Sequence, residues 1–269
     1  MNKHNLRLFI LSFSPWPIIF SIVLIFLFIN LIIFLNSGNL FYLIFNLLLV
    51  LIIIFFWWND VLIESTYNGF HNNYITKLII YRIITFIISE IFFFIRFFWT
   101  FFHIIFSPDV MVGSIWPYIG IYSINFLNLP LLNSLLLIRR GCWVSFRHYI
   151  ILVKKNNYRE FRLLITVILG LEFIILQAFE YNISIFCFSD GIFGSIFFIA
   201  TGFHGIHVII GIIFLFVMYL RIKNKHFSFN HIIGYEFSIW YWHFVDVVWL
   251  YLYIIIYWLG GFKLKLLIN

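Results

Sequence analysis

Long apolar stretches, broken by short polar ones, run the length of the chain. A helix needs about 20 apolar residues to cross roughly 30 Å of hydrocarbon. Seven stretches meet or approach that length: 17–35, 40–58, 76–106, 131–153, 161–181, 191–220 and 232–259. Asn36, Ser37, Gly38 and Asn39 make a tight break between the first two. At the helical rise the third would reach roughly 45 Å, so it is expected to tilt or protrude. Arg139, Arg140 and Arg147 interrupt the fourth. It is kept because seven crossings reconcile the loop charges below, and its arginines must contact protein or snorkel. The pattern predicts an all-α polytopic membrane protein, a single membrane domain over 1–269, without a soluble domain or an internal repeat.

Composition supports lipid as the solvent. Of the residues, 64% are hydrophobic and only 10% charged, and the mean hydropathy is +1.06. A soluble domain of this size would expose far too much apolar surface. The formal charge of +7 does not point to nucleic acid, because the cations sit in loops between spans, where they set orientation. Lys3, Arg7, Lys77, Lys154, Lys155, Arg159, Arg162, Arg221, Lys223 and Lys225 fall on one side, and Lys263 and Lys265 on the other. This places the N-terminus inside and the C-terminus outside. The short N-terminal stretch lacks an Arg- and Ser-rich presequence and a small-residue cleavage site, so it is expected to be uncleaved. Cys142 and Cys187 define neither a disulfide framework nor a metal motif, and both are expected to be ordinary buried residues. The wealth of Phe (38) and Tyr (15) suits an A+T-rich genome, as in many mitochondria.

Ionisable groups inside the spans are the candidate functional residues, since such groups normally face protein and not lipid. His204 and His207 share a helix face at i, i+3, as do His243 and Asp246. Imidazole and carboxylate at this spacing can ligate iron or copper. A di-iron bundle, however, needs paired Glu-x-x-His motifs, and neither Glu172 nor Glu236 has a His three residues on. The reading adopted is a set of buried, hydrogen-bonded groups that lock helices together; Glu236 and His243, seven apart on one face, could bond to each other or to His207. Glu90, flanked by Ile87, Ile88 and Phe92 to Phe94, is either a proton-carrying acid or a hydrogen-bonded acid at a helix interface, and the second is preferred. Arg96 is about 240° round the helix from Glu90, so it is not an easy partner. Gly191, Gly194, Gly202, Gly205 and Gly211 are read as packing positions. Trp57, Trp58, Asp60, Glu64 and His71 lie between the second and third spans, and Arg221, Lys223, Lys225 and His226 follow the sixth. Interfacial tryptophans with nearby cations suit phospholipid headgroups.

Several motifs carry a family resemblance: Ser14–Pro17 (SPWP), Trp57–Thr66 (WWNDVLIEST), Phe86–Phe94 (FIISEIFFF), Leu129–Ser134 (LPLLNS), Leu176–Tyr181 (LQAFEY), Asp190–Phe198 (DGIFGSIFF), Thr201–Gly211 (TGFHGIHVIIG), Gly234–Glu236 (GYE) and Tyr241–Tyr253 (YWHFVDVVWLYLY). In this order they resemble subunit III of the haem-copper cytochrome c oxidases, over about residues 14–260. The resemblance implies seven transmembrane helices, with helices 1 and 2 splayed from helices 3–7 by a lipid-filled, V-shaped cleft. It implies a core subunit of respiratory complex IV with no haem, copper or other metal of its own. Haem a, haem a3 and copper would sit in partner subunits. This chain would pack directly on subunit I, with subunit II and accessory subunits in the same complex and cytochrome c as its substrate. Its implied roles are stabilising subunit I, binding phospholipids and supporting proton uptake during oxygen reduction to water. The positions matching lipid-headgroup contacts are Trp58, Glu64, His71 and Arg221, with Lys223 near by. Glu90 matches a buried acid discussed in connection with proton uptake, while Arg96 stands where the family usually has a small residue. The implied location is the mitochondrial inner membrane, with the N-terminus in the matrix and the C-terminus in the intermembrane space.

Three rivals differ in class. The matching subunit of a bacterial cytochrome c or quinol oxidase would usually lack the A+T-type bias. A stand-alone proton or ion transporter using Glu90 would commonly show inverted repeats and broken helices. A membrane metalloenzyme would use His204, His207 and His243 as ligands.

Overall fold

The computed structural model describes residues 14–69, 73–108, 115–117, 120–152, 159–227, 232–261 and 264–265. Among them lie seven α-helices: α1 (Trp16–Ser37), α2 (Phe41–Thr66), α3 (Asn73–Phe106), α4 (Leu129–Leu152), α5 (Arg159–Ile183), α6 (Gly191–Lys223) and α7 (Ile233–Leu252). Among the described residues six of them, α1, α2, α3, α5, α6 and α7, are long and apolar enough to cross a membrane. In α4 the described apolar part ends at Arg139. The expected fourth span is thus helical, over Leu129–Leu152. His71, Lys154, Lys155 and Lys263 lie outside the described residues, as do the side chains of Arg140, Cys142, Arg147, Arg159 and Arg162.

Two boundaries differ from the hydropathy pattern. The second helix does not stop at Trp58 but runs on to Thr66. Polar residues end an apolar run without ending a helix. Here Ser65 and Thr66 turn their hydroxyls back onto the Leu62 carbonyl, at 3.0 and 2.6 Å. The seventh span is not one regular helix. After α7 the chain widens into a π-helical turn, Tyr253–Trp258, then tightens into a 3₁₀ turn, Leu259–Gly261.

The chain groups into two compact units, Met1–Thr76 and Lys77–Asn269. In the first, α1 and α2 form a helical hairpin. Gly38 closes α1 in the left-handed region (φ 70°), and its N–H bonds the Phe34 carbonyl, a conformation glycine adopts at no steric cost. Asn39 Oδ1 then accepts the Phe41 N–H at 3.0 Å to start α2. At the far end Trp16 stacks on Phe56 (5.8 Å) and donates its indole N–H to Asp60, while Phe20 meets Trp57 edge-on. No residue of α1 is buried, so its apolar surface is left for a non-aqueous surrounding.

The second unit holds the main core, formed by α3 to α7 and the turns that follow. Fully buried Trp242 and Trp249 sit at its centre. Close helix approach comes from glycine. A Cβ on Gly170 would stand 2.7 Å from Ile212, and one on Gly211 would stand 2.9 Å from Trp242, so α5, α6 and α7 meet over bare backbone. Of the glycines expected to pack, Gly194 and Gly211 do so, whereas Gly205 faces open space. Ile115–Trp116 pairs antiparallel with Leu264–Lys265, and buried Trp116 packs edge-on against Phe101 and Phe193.

Candidate functional site

Helix α6 carries two histidines, three residues and therefore about 60° apart on its surface. They face different neighbours. His207 Nε2 lies 2.9 Å from Glu90 Oε2 on α3, and its Nδ1 lies 2.7 Å from the Phe203 carbonyl one turn back. A carbonyl can only accept, so Nδ1 bears the hydrogen and donates. Nε2 then meets Glu90 across one proton. Either a neutral carboxylic acid donates to a neutral imidazole, or an imidazolium donates to a carboxylate. The side chains are 11% (His207) and 24% (Glu90) exposed, so the acid keeps more access than the imidazole. The His207 ring meets Phe94 edge-on at 5.1 Å and Phe244 at 6.1 Å, and Phe93 stands against Phe203. Phe86 of α3 stacks on Tyr241 of α7.

His204 points elsewhere. It is 1% exposed, meets Phe173 of α5 edge-on at 5.7 Å and lies 5.2 Å from the Trp249 ring of α7. Trp249 in turn donates its indole N–H to Ser134 Oγ of α4 at 3.1 Å. A single aromatic group thereby joins four helices.

His207 Nε2 is thus taken by Glu90 of α3, a pairing that spacing along one helix does not give. Glu236, His243 and Asp246 are each half-buried on α7, and each is engaged by a partner. The Asp246 carboxylate lies against Gly141 of α4, where a Cβ would be 3.4 Å from Oδ2. Arg96 and Glu172 are exposed on the surface of the chain. Cys187, expected to be buried, is also exposed, because it sits in the α5–α6 turn, where its N–H bonds Asp190 Oδ2 at 2.6 Å.

The expected lipid positions belong to both units. In the first, Trp58 is 59% exposed and Glu64 is half-buried and engaged. In the second, Lys223 is exposed, while the Arg221 guanidinium covers the Phe227 ring at 4.5 Å and lies 3.9 Å from Met218 Sδ. Among the described residues no group of three or more His, Cys, Asp or Glu side chains is placed to hold a metal ion.

Sequence reasoning passed over one buried acid. Glu180, in α5, is 1% exposed, and Gln177 and Tyr257 are buried beside it. Its signal was the one that picked out Glu90, a carboxyl inside an apolar run.

The family model described as cytochrome c oxidase subunit III matches residues 4–261. Cytochrome c oxidase subunit 3 of Rhipicephalus sanguineus is 46% identical over 245 residues, 91% of this chain and 95% of that protein. The Mus musculus protein of the same name is 45% identical over 248 residues, 92% of this chain and 95% of its own length. That of Drosophila melanogaster is 42% identical over 262 residues, covering 97% of this chain and all of the fly protein. With a match over nearly its whole length, the chain belongs to the cytochrome c oxidase subunit III family.

Proposed function

We propose that this chain is a core subunit without redox centres, whose work in the oxidase is mechanical and protonic. The observation that carries this reading is how its buried polar groups are used. Glu90 is taken by His207, His204 is boxed by Phe173 and Trp249, and Ser134 receives the Trp249 indole. These contacts lock helices together instead of converging on a ligand. In this reading haem a, haem a3 and copper reside in partner subunits. The chain packs on subunit I beside subunit II and the accessory subunits, and stabilises subunit I while electrons from cytochrome c reduce oxygen to water. Glu90, in touch with one shared proton, supports proton uptake.

The proposed setting is the mitochondrial inner membrane, crossed seven times, with α4 as the fourth crossing, the N-terminus in the matrix and the C-terminus in the intermembrane space. Two inner-side groups bind phospholipid headgroups: Trp58, Glu64 and His71 after the second helix, and Arg221 with Lys223 at the end of the sixth. Aromatic belts and fixed cations suit that interface.

Oxidase carrying Arg221→Ala tests this reading. The expected result is less phospholipid by native mass spectrometry, an unchanged haem spectrum in fresh enzyme and an unchanged initial rate, but faster loss of activity during turnover. Unaltered lipid content would overturn the lipid role of Arg221. A lower initial rate with normal turnover lifetime would overturn the stabilising role.

A further inference from the structure

A second buried polar cluster stands apart from Glu90 and His207. It lies where the end of α5, the first half of α6 and the π-helical turn meet. Glu180 is 1% exposed, Tyr257 2%, Gln177 5% and Thr201 0%. Proton directions can be read along one side. Thr201 Oγ1 donates to the Phe197 carbonyl at 2.6 Å. The 2.7 Å contact between Thr201 and Tyr181 must therefore be donated by the tyrosine hydroxyl. Gln177 lies next to that hydroxyl, and Tyr257 stands beside both Gln177 and Glu180.

On the other side Tyr257 is the shared neighbour of Glu180 and Gln177, and the three are only loosely paired. Both carboxyl oxygens of Glu180, both amide atoms of Gln177 and the Tyr257 hydroxyl are sheltered and have no hydrogen bond of good geometry among the described residues. Buried polar groups of this kind are costly unless they share a partner. Nor does any described cation form an ion pair with Glu180, and a buried charge without a partner is costly. The backbone adds an independent sign. Tyr257 is presented by a π-helical turn, a widened helix that recurs at functional positions. Its ring is fixed edge-on to Phe197 at 5.4 Å and lies 5.8 Å from Trp249.

We propose that Glu180, Gln177 and Tyr257 form an internal binding site for water, with Glu180 kept as a neutral carboxylic acid that hydrogen-bonds to it. Each side chain both donates and accepts in that state, and a buried water needs two to four such partners. This does not rest on the chain's role in oxygen reduction.

Infrared spectroscopy of the assembled oxidase tests it, with wild type, Glu180→Gln and Tyr257→Phe compared in H2O and D2O. Wild type minus Glu180→Gln should show the carbonyl stretch of a protonated carboxyl. That band should move to lower frequency in D2O. Tyr257→Phe should shift the same band without removing it. That derivative-shaped signal is readable even where Glu180→Gln does not assemble. A pair of carboxylate bands in place of the carbonyl stretch would overturn the proposal. If those bands moved when sodium was replaced by lithium, the site would belong to a cation. A carbonyl band indifferent to both D2O and Tyr257→Phe would mean a dry, sealed acid and would equally sink the idea.

Discussion

Glu90 Oε2 and His207 Nε2 stand 2.9 Å apart across two helices, while His207 Nδ1 is committed to its own helix at 2.7 Å. The imidazole is therefore held at both nitrogens, and any change at Glu90 acts on a ring that cannot swing away. Glu90→Gln offers an amide N–H to Nε2 and should leave the α3–α6 contact nearly intact. Glu90→Leu strands Nε2 and should cost about 1 kcal/mol, the scale of interhelical hydrogen bonds in membranes. The temperature at which the subunit dissociates from solubilised oxidase measures both. Equal losses for the two variants would show that the contact carries no hydrogen-bond energy.

Packing makes a sharper contrast among glycines. Gly170→Ala places a methyl 2.7 Å from Ile212, and Gly211→Ala places one 2.9 Å from Trp242. Each should cost about 1–3 kcal/mol, as overpacking does. Gly205→Ala meets nothing within 4 Å and should be neutral. Gly194→Ala should be the most damaging, because its Cβ would strike the Cys187 backbone carbonyl, which has little room to move. Subunit yield in assembled oxidase ranks the four. A disruptive Gly205→Ala would place an unrecognised neighbour on that face.

Ser134→Ala removes the acceptor of the buried Trp249 indole. Leaving that N–H unpaired should cost about 1–3 kcal/mol. Trp249→Phe in the Ser134→Ala background should then cost less than it does alone. Thermal release of wild type, the two single variants and the double variant closes the cycle, and simple additivity would refute the coupling.

These predictions rest on different depths of reading. Six helices follow directly from hydropathy, because lipid imposes one requirement on every spanning residue. The extension of α2 to Thr66 did not follow, since its last turns leave the apolar pattern while Ser65 and Thr66 satisfy carbonyls locally. Glu90 and His207 were each legible as buried groups. Their pairing was not, because a separation of 117 positions carries no register that spacing can read. The π-helical turn Tyr253–Trp258 was equally hidden, since no residue type marks it. Glu180 was visible in principle, as an acid in an apolar helix.

Cys187 offers a natural probe of orientation. It is exposed in the turn between α5 and α6, which the proposed topology puts on the intermembrane-space side. A membrane-impermeant maleimide should label it from that side after the outer membrane is opened, and Cys187→Ser should lose the label. Labelling that requires breaching the inner membrane would reverse the orientation.

The hairpin of α1 and α2 has one more consequence. α1 is strongly apolar and no residue of it is fully buried, while its backbone bonds are satisfied within itself and at Gly38. The Trp16–Asp60 and Asn39–Phe41 bonds close the two ends of the pair from within the same unit. Such a segment does not wait for the rest of the polypeptide to become stable in a bilayer. It can be completed as it leaves the ribosome, while the helices that carry Glu90, His207 and Glu180 are still unmade. The core of the second unit, by contrast, can close only once α7 and its buried tryptophans are present.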